Sequence, residues 1–156
     1  MNFVQASTPM NLFKVLVDKV QGKKLMDGDI GHVTWTECEA AVKDDFVPDF
    51  SLTYAQPDPA VKGGNVGLNL GGIFNMDTTV TNARIDVLWA GSPLHREDHP
   101  LSEVVPANGP FAYTLGWYIP PFAPSGHYEV TITINGTTAG SPTAQPVGCL
   151  NADFDL

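Results

Sequence analysis

From residue 30 onward the apolar side chains return at every second position, in short runs cut apart by proline and glycine. Tyr128, Val130, Ile132 and Ile134 alternate with His127, Glu129, Thr131 and Thr133. Val66, Leu68 and Leu70 alternate with Asn65, Gly67 and Asn69, and Ala83, Ile85, Val87 and Trp89 with Asn82, Arg84 and Asp86. Phe111, Tyr113, Leu115 and Trp117 stand against Ala112, Thr114 and Gly116. A pleated strand sends successive side chains to opposite faces, so each run reads as a strand with one face buried. Val33–Glu39, Phe50–Tyr54 and Val147–Phe154 add three more strands, about seven in all. Turn signals separate them at Pro57-Asp58-Pro59, Gly63-Gly64, Gly71-Gly72, Pro106–Pro110, Pro120–Gly126 and Asn135-Gly136. The last predicts a hairpin, because a type I′ turn requires positive φ at both central positions. One-sided strands need a second sheet to cover them. The fold class is therefore all-β, an immunoglobulin-like antiparallel β-sandwich.

Composition agrees with that reading and excludes others. Glycine and proline together supply 28 of 156 residues, too many for a helical bundle. Charged residues are 16 %, against roughly 25 % in an ordinary soluble domain, and apolar residues are 43 %. Such a chain is not disordered by composition. Seventeen acidic residues against eight basic ones give a net charge of −9. Nucleic-acid binding is excluded as a general role, since phosphate neutralisation needs clustered Lys and Arg. No apolar run approaches the ~20 residues of a membrane span.

The charge is uneven. Residues 1–24 carry Lys14, Lys19, Lys23 and Lys24 against Asp18, a balance of +3, and the remainder carries −12. This shift divides the chain into an N-terminal extension, residues 1–30, and a sandwich domain, residues 31–156. In the extension, Ser7-Thr8-Pro9 supplies a cap and a first-turn proline. Met10, Phe13, Val17 and Val20 then recur at helical spacing, with Leu12, Val15 and Leu16 widening the stripe. The pattern predicts a short amphipathic helix over Pro9–Gln21. Its apolar face of Phe13, Leu16, Val17 and Val20 suits docking on its own domain or on a protein partner; a membrane surface and a targeting peptide are the other readings.

Cys38 falls on the first sandwich strand and Cys149 on the last, 111 residues apart. Paired, they would close a loop worth roughly 4–5 kcal/mol in the chain-entropy model; two unrelated buried thiols are the other reading. The run His95-Arg96-Glu97-Asp98-His99 gathers two histidines and two carboxylates, and is read as a solvated loop between strands rather than a metal site. Should it touch a lipid headgroup or a partner, its histidines would make the contact pH-dependent near neutrality. Gly63-Gly64-Asn65-Val66-Gly67 precedes a strand where a phosphate loop needs a helix. No hydrolase, zinc-protease or nucleotide-binding motif is present. The sequon Asn135-Gly136-Thr137 coincides with the predicted turn.

Four segments carry a family resemblance. Trp35-Thr36-Glu37-Cys38 opens the sandwich, and Pro59-Ala60-Val61-Lys62-Gly63-Gly64 precedes a strand. Ile119-Pro120-Pro121-Phe122-Ala123-Pro124-Ser125-Gly126-His127-Tyr128-Glu129-Val130 leads into another, and Gly148-Cys149-Leu150 with Phe154 ends the domain. In order and spacing this succession resembles the MD-2-related lipid-recognition (ML) domain over about residues 32–156. That group includes Niemann–Pick C2-type sterol carriers and fungal phosphatidylglycerol/phosphatidylinositol transfer proteins. Two departures stand out. Asn108-Gly109-Pro110-Phe111 lacks the cysteine that members usually carry there. A basic amphipathic segment also stands where secreted members have a cleaved signal.

The resemblance implies a disulfide between Cys38 and Cys149, tying first strand to last. It implies non-enzymatic binding of a sterol or phospholipid in an apolar cavity between two sheets, for transfer or presentation, with no cofactor. An oxidising compartment, the endomembrane lumen or the extracellular space, goes with it. The implied lining is Leu68, Leu70, Ile85, Val87, Trp89, Phe111, Tyr113, Leu115, Trp117, Tyr128, Val130 and Ile132, with Phe122 as an aromatic gate in the proline-rich loop. The alternative is a structural accessory subunit that reuses the sandwich and docks through its N-terminal helix into a larger, membrane-associated assembly. An adhesion module of immunoglobulin type is a third class.

Overall fold

A computed structural model of the chain describes residues 32–38 and 45–156. The predicted N-terminal helix, with Phe13, Leu16, Val17 and Val20, lies outside the described residues. Within them the chain is a two-sheet antiparallel sandwich. Its strands are β1 (Thr34–Glu37), β2 (Phe46–Pro48), β3 (Tyr54–Gln56), β4 (Gly64–Phe74), β5 (Thr78–Trp89), β6 (Ser92–Val105), β7 (Pro110–Ile119), β8 (His127–Thr138) and β9 (Ser141–Asp155).

The larger sheet runs β1-β9-β8-β5-β6. In the smaller one, β2 and β3 share one edge of β4 and β7 takes the other. β2 touches β9 and β7 touches β6. The smaller sheet thus lies over the larger with β6 and β7 along one margin and β2 and β9 along the other.

The alternating runs form the core as expected. Val66, Leu68 and Leu70, Ala83, Ile85 and Val87, and Tyr128, Val130, Ile132 and Ile134 are all buried. An aromatic cluster closes each end of the interior. Phe46, Phe74 and Phe111 meet at centroid distances of 5.0 to 5.9 Å. At the other end Tyr128 stacks on Phe154 at 5.7 Å, with Trp117 6.2 Å from Phe154. Cys38 and Cys149 are joined in a disulfide, Cα atoms 5.5 Å apart.

Four sequence-based expectations are corrected. Asn135-Gly136 is not a turn: β8 continues to Thr138 and the chain reverses at Ala139-Gly140. Gly136 is there because a Cβ would lie 2.5 Å from the Thr79 carbonyl oxygen, beside a bulge in β5. Gly71-Gly72 likewise lies inside β4, where a Cβ at 72 would sit 2.4 Å from the Val47 carbonyl oxygen. Both glycines answer close backbone approach rather than chain reversal. Phe50–Tyr54 is not a strand: Phe50–Leu52 forms a 3₁₀ turn capped by Asp49, which accepts from the Ser51 N–H, and β3 begins at Tyr54. The run His95–His99 is not a loop but the middle of β6, a 14-residue edge strand. Its outward Arg96 and Asp98 pair with Asp86 and Arg84 of β5, a ladder of charge that apolar periodicity does not register.

Candidate functional site

The facing surfaces of β4, β5, β7 and β8 are built mainly of hydrocarbon and aromatic side chains. β4 contributes Leu68 and Leu70, and β7 contributes Phe111, Leu115 and Trp117. β5 and β8 supply Ile85, Val87, Tyr128, Val130 and Ile132 from across the interior. All ten are buried. Tyr113 and Trp89, also on the inner faces, are half-buried. Residues absent from the sequence-based lining share this interior, among them Val66, Ile119, Ile134, Leu150 and Phe154. The same alternation points to them, since Val66 and Ile134 extend the runs already recognised.

One end of the interior is roofed by the loop Pro120–Gly126, held by contacts on several sides. The Tyr128 hydroxyl donates to the Pro124 carbonyl at 2.6 Å, and the Trp89 indole N–H donates to the Ser125 carbonyl at 3.0 Å. Lys62 Nζ donates to the Ser125 hydroxyl at 2.8 Å. Gly126 and Leu156 exchange two backbone hydrogen bonds of 2.9 Å. Burial pushes the Tyr128 phenol above its ordinary value, so it stays a donor to Pro124. Beside the loop, Asp155 holds the His127 imidazole by a 3.0 Å hydrogen bond that raises its pKa, burial opposes this, and Asp153 adds to it.

Against this anchored backbone, Phe122 projects outward with 84 % of its surface exposed. Val61, in the loop before β4, and Tyr118, near the end of β7, are each about half exposed. The loop is therefore fixed while its one large aromatic is left in solvent. Among the described residues no group of three or more His, Cys, Asp or Glu side chains is placed to hold a metal ion. No helix among them is long and apolar enough to cross a membrane.

No protein-family model matches the chain, and no curated protein matches it. Solved structures do. A Niemann-Pick type C2 protein from Japanese carpenter ant superposes with a TM-score of 0.52, at 10 % identity, over 78 % of this chain and 98 % of that one. Chicken MD-1, crystallised with lipid IVa, gives a TM-score of 0.48 at 11 % identity, over 78 % of this chain and 86 % of that one. The class that the first match defines is structural: the chain has an ML-like fold. Within that fold it is a single-disulfide sandwich with a long, charged edge strand.

Proposed function

We propose that this protein is a non-enzymatic lipid-binding protein that holds the apolar part of a sterol or phospholipid between its two sheets, for transfer or presentation. The observation that carries the reading is the pair of facing apolar surfaces within a fold shared with a Niemann-Pick type C2 protein. Burial supplies the binding energy. An amphiphile hiding about 300 Å2 of apolar surface gains on the order of 7 kcal/mol. Orientation then needs only a few polar groups at the rim.

Admission of a ligand requires the sheets to part, and the margin where that costs least is the one between β6 and β7. β6 is laddered to β5 alone and β7 to β4 alone among the described residues. Phe122 stands at the end of the interior, on a loop whose backbone cannot yield easily. It serves as the aromatic gate. The disulfide supports residence in an oxidising compartment, which for this reading is the endomembrane lumen or the extracellular space.

Titration of the purified protein with dehydroergosterol and with a fluorescent phosphatidylglycerol tests the reading. Saturation by either at one ligand per chain is expected. Phe122→Asp should then weaken binding about tenfold while leaving thermal unfolding unchanged, because the bound lipid loses the apolar cover of the ring and a carboxylate beside it loses solvation. Absence of saturable binding by both probes would refute the lipid-binding reading, and unchanged affinity in the variant would remove Phe122 from the gate.

A further inference from the structure

The inner face of β6 is not explained by apolar burial. The register sets His95 opposite Val87, Glu97 opposite Ile85 and His99 opposite Ala83. Those three β5 residues belong to the core, so the two histidines and the glutamate share the inward face of the sheet. Inward charge on an edge strand discourages edge-to-edge pairing. This cluster is more organised than that purpose needs.

One carboxylate oxygen of Glu97 bonds His95 Nε2 at 2.8 Å and the other bonds His99 Nε2 at 2.9 Å. Burial pushes the Glu97 carboxyl up, but the hydrogen bonds from His95 and His99 outweigh it and hold the group below its usual value. Glu97 is therefore an ionised acceptor, and each Nε2 carries the proton. Nδ1 of each ring has no hydrogen-bond partner among the described residues and is available to a ligand.

Other charges near the cluster are accounted for. On β5, Arg84 and Asp86 lie on the opposite face, paired with Asp98 and Arg96. β7 holds no charged residue; its titratable groups are Tyr113, facing inward, and Tyr118, facing out. Glu103 lies further along β6, opposite Val80. The charge of the cluster is thus set by its own three members. With both imidazoles neutral it carries one negative charge, and each Nδ1 accepts. With both protonated it carries one positive charge, and each Nδ1 donates.

We infer that His95, Glu97 and His99 form a headgroup subsite on the margin between β6 and β7. It takes a hydroxyl headgroup when the imidazoles are neutral and an anionic phosphate headgroup when they are protonated, while the tail lies between the sheets. The inference rests on the lipid-binding reading above and gives it a polar end. Glu97 is a positioning residue, fixing both rings so that the same atom of each is presented.

Oleoyl lysophosphatidic acid and monooleoylglycerol share a tail and differ in headgroup charge, and their affinities for the full chain can be measured at pH 7.5 and 5.5. Imidazoles in water protonate near pH 6.5, between these values. Lysophosphatidic acid is expected to bind roughly tenfold tighter at pH 5.5 through charge-assisted hydrogen bonds, and monooleoylglycerol to change less than about twofold. The double variant His95→Asn, His99→Asn should lose the pH response and keep monooleoylglycerol binding. The same response in the double variant, or none in the wild type, would overturn the subsite while monooleoylglycerol binding keeps the lipid reading intact. Inorganic phosphate that binds at pH 5.5 as tightly as lysophosphatidic acid would overturn the headgroup assignment in favour of a free-anion site. If neither amphiphile binds at either pH, the lipid reading falls and takes the subsite with it.

Discussion

Along one margin of the sandwich the two sheets are tied together; along the other they merely lie side by side. On the tied side the Asp45 N–H, at the entry to β2, donates to the Val147 carbonyl of β9 across the sheets, while the Cys38–Cys149 disulfide and the bond from the Cys38 N–H to the Cys149 carbonyl clamp β1 to β9 within the larger sheet at that margin. Phe46 of β2 packs directly on the backbone of Gly148 in β9, where a Cβ would lie 2.6 Å from its own. On the other side β6 and β7 each end a sheet, and β6 turns two imidazoles and a carboxylate inward where a sealed core would place hydrocarbon. The contrast assigns different work to the two margins. One fixes the separation of the sheets and the other leaves a line along which it can change.

Substitutions at the tied margin show how much it depends on each of its contacts. Replacing both cysteines by alanine should cost roughly 4–5 kcal/mol of stability, the chain entropy of a 111-residue loop. Denaturant unfolding measures it, and a loss below about 1 kcal/mol would mean that this margin does not depend on its disulfide. Gly148→Val should cost about 1–3 kcal/mol, because the new side chain must displace Phe46 from β9. A neutral result would show that Phe46 yields, and that the tied margin is softer than its packing implies.

The smallest effect concerns the end of the interior and sharpens the role of the loop's surroundings. His127 has a folded pKa above its unfolded value because Asp155 and Asp153 favour the imidazolium. The stability this adds is full below about pH 6.5 and is lost as pH rises through the raised folded value. The ring is largely exposed, so solvent screening keeps the gain to a few tenths of a kcal/mol. His127→Asn should flatten that part of the stability–pH curve. An unaltered slope between pH 6 and 8 would rule out Asp153 and Asp155 as partners that favour the charged His127 ring.

The sequence announced the interior more clearly than its rim. Leu68, Ile85, Leu115 and Ile132 could be placed because one-sided burial leaves a period of two. β6 escaped because both its faces are polar: Arg96 and Asp98 outside, His95, Glu97 and His99 inside, with Pro93 and Pro100 adding turn-like signals. Its alternation is one of charge partners, visible only once β5 lies beside it. Asn135-Gly136 misled for a related reason. A glycine required by the approach of Thr79 looks in sequence like one required by a turn. β2 and the 3₁₀ turn at Phe50–Leu52 are too short for periodicity to register. As for the site, core residue and cavity wall occupy one inward face, so alternation identifies Leu70 or Val130 without separating the two roles.

Native mass spectrometry, with lipid extraction, on protein purified from its own source tests lipid binding most directly. One sterol or phospholipid per chain is expected, released when the sandwich is unfolded. A chain that arrives free of lipid and bound instead to other protein subunits would contradict it, and would make the sandwich a scaffold.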